Sequence, residues 1–148
     1  MITIDTLRFE YLEGLKEVYE DGFDGSTTEI SLMTQTYNAI KDNSNYIILC
    51  ALYGNRVVGS VMGIVCYELF GKCLPFMVVE NVAVLKEYRR KGIANKLIEN
   101  LEQRALENKC STILFVSSEH RTGAHKLYES LGFGVDKVNG YRKRLNNE

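Results

Sequence analysis

The chain of 148 residues is poor in the features that mark a multidomain, metal-binding or membrane protein. It has one proline, Pro75, and no Gly/Ser-rich linker or internal repeat, so we expect a single domain over residues 1–148. Its four cysteines lack C-x-x-C spacing and two histidines accompany them, which excludes a zinc motif and predicts reduced thiols. No apolar run approaches the ~20 residues of a membrane span, and the N-terminus has no signal-peptide pattern. We therefore expect a cytoplasmic protein that uses no metal.

The net charge of −1 conceals a difference between the two ends of the chain. Residues 1–50 hold nine acidic and three basic side chains, a sum of −6, and the remainder holds ten acidic and fifteen basic ones, a sum of +5. A basic half can bind a polyanion and an acidic half can attract a cation, although both could simply be solvated surfaces. The basic residues are interleaved with glutamates, which argues against a nucleic-acid surface.

The spacing of apolar residues predicts strands and helices in the order β-α-α-β-β-β-α-β-α-β. The predicted strands are Met1–Arg8, Tyr46–Tyr53, Arg56–Tyr67, Phe76–Val84, Thr112–Val116 and a final strand with a hairpin around Asn139–Gly140. The predicted helices begin near Tyr11, Thr27, Ile93 and Ala124, and the last of them ends at Gly132. The spacer Gly54–Asn55 predicts a hairpin turn between the second and third strands. This order is typical of an α/β or α+β fold with a mixed sheet.

The most informative segment is the one in which the long apolar strand leads through a short basic turn into a helix. A helix N-terminus has unpaired backbone N–H groups and about +0.5 of an elementary charge, so it can bind phosphate. Gly92 and Ala94 are small enough for close approach, and Arg89, Arg90 and Lys91 add positive charge. The segment matches neither a P-loop nor G-x-G-x-x-G. On these residues alone, a phosphate-binding turn and an ordinary basic strand–helix junction are both open.

Two segments of the chain resemble the GNAT N-acetyltransferase family. Arg89-Arg-Lys-Gly92-Ile-Ala94 is similar to that family's R/Q-x-x-G-x-G/A signature, and it follows the strand Asn81-Val-Ala-Val that is typical of the family. Ala124-His-Lys-Leu-Tyr-Glu-Ser-Leu-Gly-Phe133 resembles the family's late helix, A-x-x-x-Y-x-x-x-G-F. The interval between the two segments holds one strand and the rest of one helix, as the family requires.

The resemblance implies a GNAT-like fold. Its central mixed sheet would have about six to seven strands and about four flanking helices, and acetyl-CoA would lie in a cleft between two splayed central strands. Backbone N–H groups from Arg90 to Asn95 would hold the pyrophosphate, and the main chain of Val82–Val84 would pair with pantetheine. The cofactor-binding residues expected from the resemblance are Val82, Ala83, Val84, Arg89, Arg90, Lys91, Gly92, Ile93, Ala94, Asn95 and Tyr128.

Acetyl transfer to an amine requires a base for the amine, a donor for the oxyanion and a proton for the departing thiolate. Glu80 is the expected base, because it is the only charge in an apolar strand and desolvation there would strengthen a carboxylate as a base. A structural pairing of Glu80 with a basic residue, and a water chain acting as the base, are both open. The resemblance implies that Tyr128 protonates the CoA sulfur, although its position on an apolar stripe also fits core packing. His120, Arg121 and His125 have no assigned role.

The acceptor is expected against Asp21–Asn45 and Tyr67–Pro75, where acidic side chains would suit a cationic amine. The leading hypothesis is an acetyl-CoA-dependent enzyme acting on a small-molecule amine. The alternatives are a protein lysine or N-terminal amine as the acceptor, and a catalytically silent acetyl-CoA sensor. We expect no nucleic-acid or membrane partner. A homodimer and the identity of the acceptor are left open by the sequence.

Overall fold

The computed structural model describes residues 1–116 and 122–146, so the predicted positions His120 and Arg121 lie outside the described residues. The strands are β1 Ile2–Thr6, β2 Tyr46–Tyr53, β3 Arg56–Cys66, β4 Phe76–Val84 and β5 Ile113–Phe115. The helices are α1 Leu12–Gly22, α2 Ile30–Ile40, α3 Ile93–Glu107 and α4 Thr122–Ser130. Residues 1–115 and the residues from Val116 onward form two compact units. The single domain expected from the sequence stays a prediction.

The five strands of the first unit form one mixed sheet in the order β1-β2-β3-β4-β5. The first three pairings are antiparallel, and β4 pairs with β5 in parallel. The predicted hairpin is present, since Tyr53 faces Arg56 across Gly54–Asn55 and Gly54 has a φ of +61°. A parallel pair needs a crossover connection, and α3 provides it between β4 and β5. The mixed sheet with four helices that the resemblance implied is thus confirmed.

The core of the first unit lies between this sheet and the apolar faces of α1 and α3. The predicted stripe of α3 is buried as a whole, and its members are Ile93, Leu97, Ile98, Leu101 and Ala105. Helix α3 lies so close to β3 that a Cβ atom on Gly63 would stand 2.8 Å from Leu101 Cδ1. Helix α2 differs, because none of its residues is buried. The sheet is therefore fixed mainly by α1 and α3.

The structure corrects the predicted strand count. Residues 131–146 are described and contain no strand, so the final strand around Asn139–Gly140 is not formed and the described sheet has five strands instead of six to seven. Large apolar side chains in this stretch, among them Val135 and Tyr141, are exposed. A turn-forming pair does not by itself stabilise a two-stranded hairpin, which is marginal in water without further strands or packing. The basic run Arg142–Arg144 adds charge repulsion to the strand that was predicted there.

None of the helices in the described parts of the chain has the length and apolar character that a membrane span requires.

Candidate functional site

The edge of β4 opens in the middle of the strand. Beside β5, the parallel ladder contains three pairs, Met77 with Ile113, Val78 with Leu114 and Val79 with Phe115. On its other edge, β4 stays paired with β3 as far as Val84. Within the described residues, no strand therefore continues the ladder beside residues 80–84. Unpaired N–H and C=O groups on such an edge can pair with an extended ligand.

A β-bulge lies where this edge opens. Ser60 pairs with Ala83 and Met62 pairs with Glu80, so β4 has one residue more than β3 between these two pairs. Asn81 takes up the extra residue with a φ of +55°, in the left-handed region that asparagine tolerates better than most residues. In a regular strand the neighbours Glu80 and Asn81 would point to opposite faces of the sheet. The bulge is present, and both side chains are exposed.

Glu80 therefore differs from the expected buried base. Its side chain is exposed, although it stands in an apolar strand. No ion pair joins Glu80 to a basic residue in the described parts of the chain. The carboxylate is thus open to a ligand at the place where β4 and β5 separate.

After β4, the chain passes through a 3₁₀ turn at Lys86–Tyr88 and then through residues 89–95, which we call the basic turn. Arg90 and Gly92 have φ angles of +61° and +76°, and Gly92 is the residue at which α3 begins. The N–H groups of the first helical turn have no partner within the helix, and no side chain caps them. A Cβ atom at Gly92 would meet nothing within 4 Å, so the space beside the helix N-terminus is open. These features fit a bound anion.

Two of the three basic side chains in the turn are held by neighbouring groups. Arg89 Nε donates a hydrogen bond to the carbonyl oxygen of Val84 at 3.0 Å, which ties the turn to the end of β4. The Lys91 ammonium nitrogen lies 5.2 Å from the centre of the Tyr88 ring. Arg90 is exposed. The Val84 carbonyl, which lies in the expected pantetheine-pairing segment, therefore already accepts one hydrogen bond.

A polar cluster beneath the bulge was not predicted from the sequence. The buried Ser60 hydroxyl donates to the carbonyl of Leu49 at 2.8 Å. Burial raises the pKa of Tyr19 to about 12, while side-chain hydrogen bonds with Ser60 and Asn81 oppose that shift. Burial also raises the pKa of the Cys50 thiol to about 12. Tyr19 and Cys50 are therefore protonated at neutral pH, which makes Cys50 a poor nucleophile.

Asp21 and Asp24 lie in the region expected to attract a cationic amine, but in the structure both contact Lys86. Asp21 Oδ2 accepts a hydrogen bond from the backbone N–H of Lys86 at 2.7 Å, and Asp24 lies 3.5 Å from the Lys86 ammonium group. The end of α1 is thereby attached to the segment that carries the basic turn. A close contact supports this, because a Cβ atom on Gly22 would stand 3.2 Å from that of Ala83.

Tyr128 lies on α4, in the second unit. Its side chain is buried, and its ring packs edge-on against Phe133 with 6.4 Å between the ring centres. The predicted helix end is confirmed, since the N–H groups of Gly132 and Phe133 bond to Glu129 and Tyr128 carbonyls and Gly132 has a φ of +91°. His125 is half-buried on the same helix. The proposed role of Tyr128 in catalysis stays a prediction.

Comparison with known proteins agrees with this geometry. The sequence model of the Acetyltransferase (GNAT) family matches residues 10–133. N-alpha-acetyltransferase 30 of Xenopus laevis is 31% identical over 103 residues, which cover 69% of this chain and 37% of that protein. The chain thus spans about a third of the length of this curated relative. The family match alone covers most of the chain.

The chain belongs to the GNAT acetyltransferase family.

Two solved structures show the same fold at low sequence identity. Glucosamine-6-phosphate N-acetyltransferase from Arabidopsis thaliana superposes with a TM-score of 0.85 at 16% identity, covering 99% of each chain. The aminoglycoside N-acetyltransferase AAC(6')-Iy in complex with CoA has a TM-score of 0.80 at 20% identity, covering 97% of this chain and 95% of that one. The family expected from the sequence is confirmed by the match over residues 10–133, and the acetyltransferase activity and the acetyl-CoA cofactor are what membership of that family implies.

The basic turn is thus enough to identify the GNAT-type cleft from the sequence, whereas the β-bulge in β4 is seen only in the structure. A polar pair, Glu80 and Asn81, inside an apolar run is the one sequence signal for that bulge. Ser60 and Tyr19 give no such signal, because a small residue in a strand and a tyrosine on a helix stripe are common in cores. In the part of the chain that the structure describes, no group of three or more His, Cys, Asp or Glu side chains is arranged to hold a metal.

The left-handed conformation of Asn81 generates a stability prediction. Asn81→Val should lower the free energy of unfolding by about 1–2 kcal/mol more than Asn81→Gly does, because both variants lose the side chain that bonds to Tyr19 but only the β-branched residue is strained at positive φ. Chemical denaturation measures the difference. Glu80→Val is the matched control, since Glu80 is the exposed neighbour without a positive φ. Equal losses for valine at the two positions would contradict the strained bulge.

Proposed function

We propose that this GNAT protein transfers the acetyl group of acetyl-CoA to a primary amine, with a small molecule as the acceptor. The observation that carries the proposal is the edge of β4 over residues 80–84, which has no strand beside it among the described residues and leads through the basic turn to the open N-terminus of α3. An extended thioester can pair with the edge while its pyrophosphate binds at the helix end. The cytoplasmic location, the lack of nucleic-acid and membrane partners, and the homodimer stay predictions from the sequence.

The cofactor would bind along residues that are contiguous in the first unit. Pantetheine would pair with the main chain of Val82–Val84, and the pyrophosphate would accept hydrogen bonds from backbone N–H groups of the basic turn. Arg89, Arg90 and Lys91 supply positive charge around this point. The positive φ of Gly92 supports the assignment, because it lets the chain turn sharply into α3 without a side chain in the open space.

In the proposed mechanism the amine attacks acetyl-CoA directly, and no acyl-enzyme intermediate is needed. The amine nitrogen forms a bond to the thioester carbonyl carbon, the tetrahedral intermediate collapses, and the C–S bond breaks. The proton of the amine goes to Glu80 or to water held by it, and the thiolate takes a proton from Tyr128. The exposed carboxylate of Glu80 at the opening of the cleft supports the first role. The second role rests on the resemblance of the α4 segment to the family's late helix.

The choice of acceptor has support from two directions. Two structural neighbours are named for amino-sugar substrates, an aminoglycoside and glucosamine-6-phosphate, which favours a small-molecule amine. The sequence relative is named as an N-alpha-acetyltransferase, which makes a peptide or protein amine the second candidate. Because this chain spans about a third of that relative, and the structural neighbours are at most 20% identical, neither name transfers directly.

The acceptor is tested by following acetyl-CoA consumption with a panel of polyamines, amino sugars, aminoglycosides, aminophosphonates and peptides. We expect turnover on at least one small amine and little on peptides. Turnover on peptides alone would replace the proposal with the N-terminal or lysine alternative. Calorimetric binding of acetyl-CoA without turnover on any amine would instead favour the silent sensor.

Substitutions at the two proposed catalytic residues test the mechanism. Glu80→Gln and Tyr128→Phe should each lower kcat/KM for the accepted amine by about 100-fold, the range typical of lost general acid–base catalysis. Glu99→Gln, an exposed carboxylate on α3, and Tyr141→Phe, an exposed phenol, are the matched controls. Unchanged turnover in both test variants would show that neither residue acts in catalysis, even with the fold intact.

A substitution at Gly92 tests the cofactor site separately from catalysis. Gly92→Glu places negative charge at the helix N-terminus, so the affinity for acetyl-CoA should fall by about 30-fold or more, corresponding to ~2 kcal/mol. Isothermal titration calorimetry measures it. Gly71→Glu is the matched control, because Gly71 also has a positive φ, +62°, and open space around it, but lies between β3 and β4. Undiminished affinity in Gly92→Glu would rule out the basic turn as the pyrophosphate site.

A further inference from the structure

The β2–β3 hairpin contacts the segment that carries the basic turn. Arg56, the first residue of β3, places Nη2 at 2.8 Å from Glu17 Oε1 on α1 and at 2.9 Å from Glu87 Oε1 in the 3₁₀ turn. Its guanidinium carbon lies 5.6 Å from the centre of the Tyr88 ring, and the Tyr53 ring centre lies 5.7 Å from the same ring. We call these five residues the hairpin cluster.

We propose that Arg56 is a positioning residue for the cofactor. It neutralises the charge of Glu87 and holds the Tyr88 ring in place, so that Lys91 and the basic turn can bind an anion. The proposal rests on the assignment of the basic turn to the acetyl-CoA pyrophosphate. Arg56 itself has no expected contact with the cofactor.

The charges around Tyr88 support this role. Glu17 and Glu87 carry two negative charges, and Arg56 and Lys91 carry two positive ones, so the group is neutral as a whole. Without Arg56, the sum would be −1, and Glu87 would lie unpaired two residues before Arg89. A free carboxylate beside the turn would repel the pyrophosphate and attract the basic side chains away from it.

The aromatic rings determine where Lys91 lies. Its ammonium nitrogen rests 5.2 Å from the Tyr88 ring centre and has no ion pair with a carboxylate among the described residues. A ring face attracts a cation without cancelling its charge, so Lys91 keeps that charge for a bound anion. Tyr88 in turn is fixed by Tyr53 and Arg56, which both belong to the hairpin.

The backbone of the turn also needs support from its surroundings. Arg90 has a φ of +61°, which is unfavourable for a residue other than glycine and persists only where neighbouring structure holds it. Two contacts hold the N-terminal side of the turn: Arg89 Nε donates to the carbonyl of Val84, and Arg56 contacts Glu87 and Tyr88. One exposed ion pair contributes little to stability, whereas a guanidinium shared by two carboxylates and a ring forms a network.

The test measures acetyl-CoA affinity by isothermal titration calorimetry and steady-state kinetics in the full chain. Arg56→Gln should raise Kd and KM for acetyl-CoA about fivefold, as expected for the loss of one partly screened charge interaction, and leave kcat at saturation unchanged. Arg8→Gln is the matched control, because Arg8 also pairs with a carboxylate, Asp5 at 3.0 Å, and lies 6.0 Å from a tyrosine ring, that of Tyr11. Arg8→Gln should leave Kd unchanged.

A second substitution separates the charge effect from a loss of structure. In the double variant Arg56→Gln/Glu87→Gln the unpaired carboxylate is gone, so most of the lost affinity should return. Glu87→Gln alone should tighten binding, by about twofold to fivefold. Raising the salt concentration should shrink both differences. If Arg56→Gln proves too unstable to measure, the acetyl-CoA affinity of the Glu87→Gln variant alone tests the proposal.

The outcomes distinguish this proposal from the proposed function. Failure of the parent protein to bind acetyl-CoA would refute the cofactor assignment and this proposal with it. Normal binding by the parent protein, with the same Kd in Arg56→Gln or with no tightening in Glu87→Gln, would overturn the role of Arg56 and leave the proposed function intact. A weakened Arg56→Gln that the second substitution does not rescue would also overturn it, since the loss would then be structural.

Discussion

The separation of β4 from β5 after three residue pairs is the constraint on which the rest of this structure depends. A continuous ladder would satisfy every backbone group of β4 and leave no place for an extended ligand in the sheet. Because the ladder ends at Val79 in the described part of the chain, the strand can keep its pairing with β3 on one edge and offer the other edge over residues 80–84. The bulge at Asn81 lies at this point, and helix α3, whose N-terminus is the proposed pyrophosphate site, begins within ten residues of the opened edge.

Much of this arrangement could be predicted from the sequence, because local rules govern the elements involved. Gly54–Asn55 predicted the hairpin, the apolar stripe from Ile93 predicted the buried face of α3, and Gly132 predicted the end of α4. Each of these signals lies within a few residues of the structure that it specifies. The basic turn was recognised for the same reason, since its glycine, its charges and the helix N-terminus are adjacent in the chain.

What could not be predicted depends on contacts between distant segments. The bulge at Asn81 is a property of the register between β3 and β4, which the apolar pattern does not specify residue by residue. The environment of Tyr19 and Cys50 depends on Ser60 in another strand. The prediction of a final strand was wrong for a related reason. Turn residues near Asn139 indicate a hairpin only if a partner strand lies beside them, and local sequence does not show whether one does.

The shallow packing of helix α2 determines where the protein unfolds locally. It buries none of its residues, while α1 and α3 are anchored to the sheet by several fully buried side chains. Segments with few buried contacts exchange their amide hydrogens through local openings that cost much less than global unfolding. Helix Ile30–Ile40 should therefore lose its structure and regain it many times while the sheet stays folded. Substitutions along it should cost less stability than those in the buried faces of α1 and α3, so the chain can change that face while keeping the same core.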